Sequence, residues 1–155
     1  MEMSNSKVDL AVTDAIRHIG IGTSSYWKVV DYLTGFGYDR DLSVKAADKL
    51  VERKYIDDVR AGHKVLRTRV GKKQESRSYI YMRLLSAGLK QENASVLSDS
   101  LPSDDETCYQ LFCAFSDDAL ALPEEKREDF FKKTGKKRGY SYESIMSAYS
   151  RWLSS

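Results

Sequence analysis

Glycine recurs in this chain at a fixed interval and with a fixed sequel. Gly37-Tyr38, Gly88-Leu89 and Gly139-Tyr140 stand 51 residues apart, and four residues past each glycine comes an acid: Asp41, Glu92 and Glu143. Leu50, Leu101 and Trp152 extend the register, each at the same offset from its glycine, where a helix begun just after the glycine would bury its last turn. A chain with three copies of one supersecondary unit reads first as an array.

The copies read as helices. Proline occurs only at Pro102 and Pro123, so most of the chain lacks the strongest helix breaker. In the first copy Val8, Ala11, Ala15 and Ile19 recur at helical spacing until Gly20 and Gly22 interrupt them. Tyr26, Val29, Val30 and Leu33 mark a second helix closed by Gly35 and Gly37. Asp39 is placed to cap a third, running to about Lys54 with Ala46, Ala47, Leu50 and Val51 turned inward.

In the second copy Val59, Gly62, Leu66 and Val70 are expected on one side of a helix. Arg60, Lys64 and Arg67 fall within about 60° of each other on another side. Ile80, Leu84 and Leu85 form the next helix, which stops at Gly88, and Ala94, Leu97 and Leu101 the one after. The third copy offers Cys108, Leu111, Phe112 and Phe115. Pro123 then opens a helix with Glu124 and Glu125 at its start and Lys132, Lys133, Lys136 and Lys137 near its end. Ser141 caps a final helix carrying Ile145, Ala148, Tyr149, Trp152 and Leu153. No stretch alternates polar and apolar residues, so no sheet is predicted. Short helices with one apolar side each bury little alone, so neighbouring units must stack. The expectation is an all-α chain of three tandem three-helix repeats, residues 7–56, 57–102 and 103–155, forming an elongated molecule open to curvature.

Charge does not follow the repeat. Residues 60–90 hold nine basic side chains and one acid, residues 91–129 two basic and eleven acidic, and residues 130–155 six basic and one acidic, within a net charge of only +2. Two basic surfaces and one acidic one suit a polyanion or a charge-patterned protein. The binding candidates are Arg60, Lys64 and Arg67, continued by Arg69, Lys72, Lys73 and Arg77, and a second set, Lys132, Lys133, Lys136, Lys137 and Arg138.

Other chemistry is sparse. His18 and His63 lie in different copies, with no acid or cysteine at ligand or triad spacing, and Gly20-Ile21-Gly22 lacks the context of a phosphate loop. No catalytic residue, metal site or cofactor is expected. Cys108 and Cys113 have neither redox nor zinc spacing and are expected to be reduced core residues. The acid pairs Asp57-Asp58, Asp104-Asp105 and Asp117-Asp118 point about 100° apart on a helix, which suits helix starts better than paired catalysis. No apolar run reaches the roughly 20 residues of a membrane span, and the start of the chain lacks a secretory pattern. A cytoplasmic monomer without membrane attachment is expected.

The junction Lys54-Tyr55-Ile56-Asp57-Asp58, the basic helix after it, and the stretch Arg83 to Leu89 ("RLLSAGL") resemble the RecX family of bacterial RecA regulators. Lys137-Arg138-Gly139-Tyr140, Ser144-Ile145 and Trp152 resemble the last repeat of that family, so the likeness covers residues 7–154. The chain departs from the family pattern at Ala61, where an aromatic is usual, at Gln74-Glu75-Ser76, where a glycine is usual, and at Thr134-Gly135, where an aliphatic is expected. The resemblance implies a non-enzymatic modulator that binds the RecA filament on DNA along its groove and restrains recombinase and coprotease activity. Tyr55, Ile56, Asp57 and Asp58 are structural in this reading. The residues alone leave a second possibility, a DNA-binding transcription regulator using the basic helix around residues 60–69.

Overall fold

The computed structural model describes residues 2–155. The chain is all-α: α1 (Glu2–Ile19), α2 (Tyr26–Phe36), α3 (Arg40–Glu52), α4 (Asp58–Thr68), α5 (Arg77–Ser86), α6 (Gln91–Asp99), α7 (Asp104–Ala114), α8 (Ser116–Leu120), α9 (Glu124–Lys137) and α10 (Tyr142–Ser154), with a 3₁₀ turn at Gly71–Lys73. Among the described residues there is no strand, only an isolated parallel bridge between Ser24 and Ile56. The short helix α8 and the 3₁₀ turn have no counterpart in the sequence reading.

The chain divides into two compact units, Met1–Lys64 with Leu84–Ala94 and Val65–Arg83 with Ser95–Ser155. In the first, α1, α2 and α3 close on Val8, Ala11, Val12, Ala15, Tyr26, Val29, Val30, Leu33, Ala46, Ala47 and Leu50, with Ile56 completing the cluster. The helical spacing of these residues puts one apolar face of each helix against the others. In the second unit, α7, α9 and α10 gather Cys108, Leu111, Phe112, Phe131, Tyr140, Ile145 and Ala148. Phe131 is its centre, with ring centroids 4.4 Å from Phe112 and 4.8 Å from Trp152.

The caps follow local chemistry. Asp39 accepts from the Leu42 amide at 2.8 Å and Ser141 from the Ser144 amide at 3.1 Å, each meeting one of the unbonded donors at a helix start. Pro123 stands at the N-cap of α9, one position earlier than expected. Gly35 lies inside the last turn of α2, and Gly37 alone closes that helix, at φ +117°.

Some expected core positions face solvent. Val51 is 45% exposed, Val59 51% and Val70 59%. Val70 lies past the end of α4, so its helical phase no longer applies. Val59 occupies the first turn of α4, whose buried residues are Asp58 and Gly62. Leu153 is exposed in the last turn of α10. Cys108 is buried but Cys113 is exposed, so only one of the two is a core residue.

Two glycines of the repeat make close approaches that recur at the same offset. A β-carbon at Gly88 would collide with Ser25 and press on Lys28; one at Gly139 would lie 2.5 Å from the Tyr79 ring and 2.7 Å from Ser76 Oγ. Ser76 and Tyr79 stand 51 residues beyond Ser25 and Lys28. Ser25 Oγ donates to the Ala87 carbonyl at 2.6 Å, and the Ser76 amide to the Arg138 carbonyl at 3.1 Å, again one repeat further along the chain. Glycine is required at both places twice over, because the backbone is also left-handed there, φ +94° and +88°. Gly37 is left-handed too but has no atom within 4 Å of its missing side chain.

Candidate functional site

The junction between α3 and α4 is built from the acids it carries. Lys54 closes α3 in the left-handed region, φ 64°, and the Tyr55 carbonyl and Asp57 amide bond the two sides of Ser24 at 3.1 and 2.9 Å. Asp57 caps α4, accepting from the Arg60 amide at 3.0 Å. Asp58 turns the other way and is 6% exposed. Its carboxylate accepts from the Tyr26 amide at 2.9 Å, the Lys90 amide at 2.8 Å and Asn93 Nδ2 at 2.9 Å. One side chain thus serves the starts of α2 and α6 as well as standing in its own helix. The Ser25 side chain makes no capping bond for α2, so a distant acid, Asp58, does its work.

The second unit contains the same device divided between two residues. Asp104 accepts from the Arg77 amide at 2.9 Å and Asp105 from Ser144 Oγ at 2.8 Å. Arg77 and Ser144 lie 51 residues beyond Tyr26 and Asn93. These acid pairs therefore act at helix starts, and they reach helices other than their own.

With α4 anchored at its first turn, Arg60, Lys64 and Arg67 project from one face into solvent. Among the described residues none of the three has an acidic partner within ion-pairing distance. Lys73, in the 3₁₀ turn, and Lys136 and Lys137, in the last turn of α9, are likewise exposed and outside those pairs. Four of the other candidates have partners within the fold. Lys72 pairs with Asp118 at 2.9 Å and lies over the Phe115 ring. Lys132 approaches Glu128 at 3.9 Å and lies over Tyr142, while Lys133 pairs with Asp129 at 2.9 Å. Arg77 donates through its guanidinium to the Leu101 carbonyl. Arg69 and Arg138 are half-buried and, among the described residues, have no acidic partner; the Arg69 Nε is buried without a hydrogen-bond partner.

One charged pair has no trace in the sequence reading. Glu75, buried at 3% exposure, receives a bidentate contact from Arg83 through Nε at 2.5 Å and Nη2 at 2.9 Å. Gln74, Glu75 and Ser76 are all buried, so the segment that departs from the family pattern is an internal polar one. An acid followed eight residues later by an arginine across a helix start carries no local signature. Among the described residues no group of three or more His, Cys, Asp or Glu side chains could hold a metal ion, and no helix is long and apolar enough to cross a membrane.

No family model and no curated protein matches the sequence. The fold is similar to the crystal structure of RecX from Lactobacillus salivarius, with a TM-score of 0.72 over 95% of this chain and 97% of that chain, at 16% sequence identity. The chain therefore has the RecX fold, and an identity this low speaks to fold alone.

Proposed function

We propose that this chain is a non-enzymatic regulator of a RecA-type recombinase that binds the filament on DNA and restrains its recombinase and coprotease activity. The observation that supports the reading is the fold likeness to RecX over 95% of the chain, beside the Tyr55–Asp58 junction and the Arg83–Leu89 stretch that carry the sequence resemblance. On this reading the protein is a cytoplasmic monomer that acts in DNA repair and the SOS response. Its frame is three tandem repeats, residues 7–56, 57–102 and 103–155, and the matching close contacts at Gly88 and Gly139 support that division.

The contacts to the filament are assigned to those candidate cations that are exposed and, among the described residues, have no acidic partner: Arg60, Lys64 and Arg67 on α4, Lys73, and Lys136 with Lys137. Any phosphate they meet contributes salt dependence, with a slope of about 0.7 to 0.9 per phosphate neutralised. Arg60→Glu, Lys64→Glu and Arg67→Glu should each leave folding intact, since these side chains are exposed and outside the ion pairs of the described residues.

The test is co-sedimentation with RecA on single-stranded DNA, read beside RecA ATPase and strand exchange at stoichiometric ratios. Binding and inhibition that weaken in the Lys64→Glu, Arg67→Glu double variant are expected. An ATPase and strand exchange left unchanged by the wild-type protein refute the reading. A sequence-specific footprint on duplex DNA without RecA would instead indicate a transcription regulator using α4.

A further inference from the structure

The first unit holds a cleft of about 340 Å³ whose chemistry is opposite to that of the basic helix. Asp48 and Glu52 stand on its α3 side, four residues apart on one helical face, both exposed. Like charges at this spacing repel, and among the described residues neither has a cationic partner within ion-pairing distance. Lys90 also lines the cleft, yet its ammonium lies over the face of Tyr26, 4.7 Å from the ring centroid. The Tyr26 hydroxyl donates to Asp48 Oδ1 at 2.8 Å, which leaves Oδ2 to accept from a second donor. Asp58, at the inner wall, is already served by three donors.

Beside these carboxylates lie Val51 and Ile56. Val51, a core position by its helical phase, is exposed here, between two acids in sequence. An aliphatic wall next to two carboxylates that have no cationic partner among the described residues matches one side chain in particular. The methylenes of arginine cover apolar surface, while its planar guanidinium offers five donors to two acceptors in a fixed fork. A phosphate would meet two negative groups and a single ammonium already engaged with a ring, so nucleic acid is disfavoured. We propose that this cleft receives an arginine side chain presented by a protein partner. The proposal rests on the cleft alone and does not depend on what α4 contacts.

The test uses the full chain, ¹⁵N-labelled, titrated with the peptide acetyl-Gly-Arg-Gly-amide and with its uncharged citrulline counterpart. The arginine peptide should shift the amides of Val51, Glu52 and Asn93 in a saturable and salt-sensitive way, and the citrulline peptide should not. Glu52→Gln should weaken the apparent affinity by roughly two- to fivefold, the range of an exposed ion pair. The Glu52 carboxylate makes no bond among the described residues, so its variant should keep all other amide positions, which separates lost binding from lost folding. The proposal is overturned if the two peptides act alike, if no shifts occur, if Glu52→Gln binds as wild type, or if oligothymidylate moves these amides while the arginine peptide does not.

Discussion

Asp57 and Asp58 are neighbours with the same side chain, and the structure assigns them very different weights. Replacing Asp57 with Ala removes one exposed N-cap bond, to the Arg60 amide, at a cost of about 1 kcal/mol. Replacing Asp58 with Ala strips the acceptor from the amides of Tyr26 and Lys90. Both amides are fixed at helix starts and cannot turn elsewhere, whereas Asn93 can rotate its amide toward the cleft. Two donors left unmet at about 1–3 kcal/mol each give about 2–6 kcal/mol, a large part of the roughly 5–15 kcal/mol that holds a typical domain together. Asp58→Asn keeps one acceptor oxygen and should lose about 1–3 kcal/mol, so it remains measurable if the alanine variant does not fold. Urea unfolding followed by far-UV circular dichroism reports all three, with the slope unchanged if the native state is otherwise intact. Costs for Asp58→Ala and Asp57→Ala within about 0.5 kcal/mol of each other would show that the three bonds to Asp58 do not carry the junction.

Gly139→Ala should destabilise by about 1–3 kcal/mol more than Gly37→Ala, because both share a left-handed backbone but only Gly139 presses on Tyr79 and Ser76; equal losses in urea would count against the close approach. Lys54→Gly should raise stability by up to about 1 kcal/mol, since it relieves a left-handed strain of about 1–2 kcal/mol against a smaller entropic loss, and a lower melting temperature would contradict it. Alkaline pH should unfold the protein. Burial, aided by its bond to Asp48, raises the Tyr26 hydroxyl from 10.0 to about 12; burial, then Asp104, raises the Cys108 thiol from 9.0 to about 12; and burial raises Tyr140 as well. These groups hold their protons more tightly when folded, so their contribution is complete below the unfolded values and is lost as pH rises through the folded ones. Urea midpoints should therefore be flat up to about pH 9 and fall between about pH 9 and about pH 12, and a midpoint that holds through that range would contradict the assignment.

Helix identity is legible wherever apolar residues keep helical spacing within one segment, as at Tyr26, Val29, Val30 and Leu33. It fails at the edges of that pattern. Val51 and Val59 have the right phase, but whether a neighbour covers that phase is decided by other segments. The free cations of α4 are legible because a basic stripe on an amphipathic helix is local. That Arg77 and Lys72 are occupied is not, since their partners Leu101 and Asp118 come much later in the chain and the helices between set the distance. Asp58 shows the limit most clearly. Its role at a helix start follows from the adjacent acids, but the helices it completes begin far from it in sequence, α2 well before it and α6 well after.

Because α2 takes its cap from Asp58, and Asp58 in turn holds the start of α6, a fragment cut at the period of the repeat would expose bare amides. A piece ending at Ile56 keeps the α1–α3 core but loses the acid that finishes α2. A fragment that keeps the cap of α2 must overrun the repeat to include Asp58, and one that keeps α6 as well needs the same acid. The glycine period gives one length for the unit; hydrogen bonding sets a longer one for folding, and truncations designed on the first will miss the second.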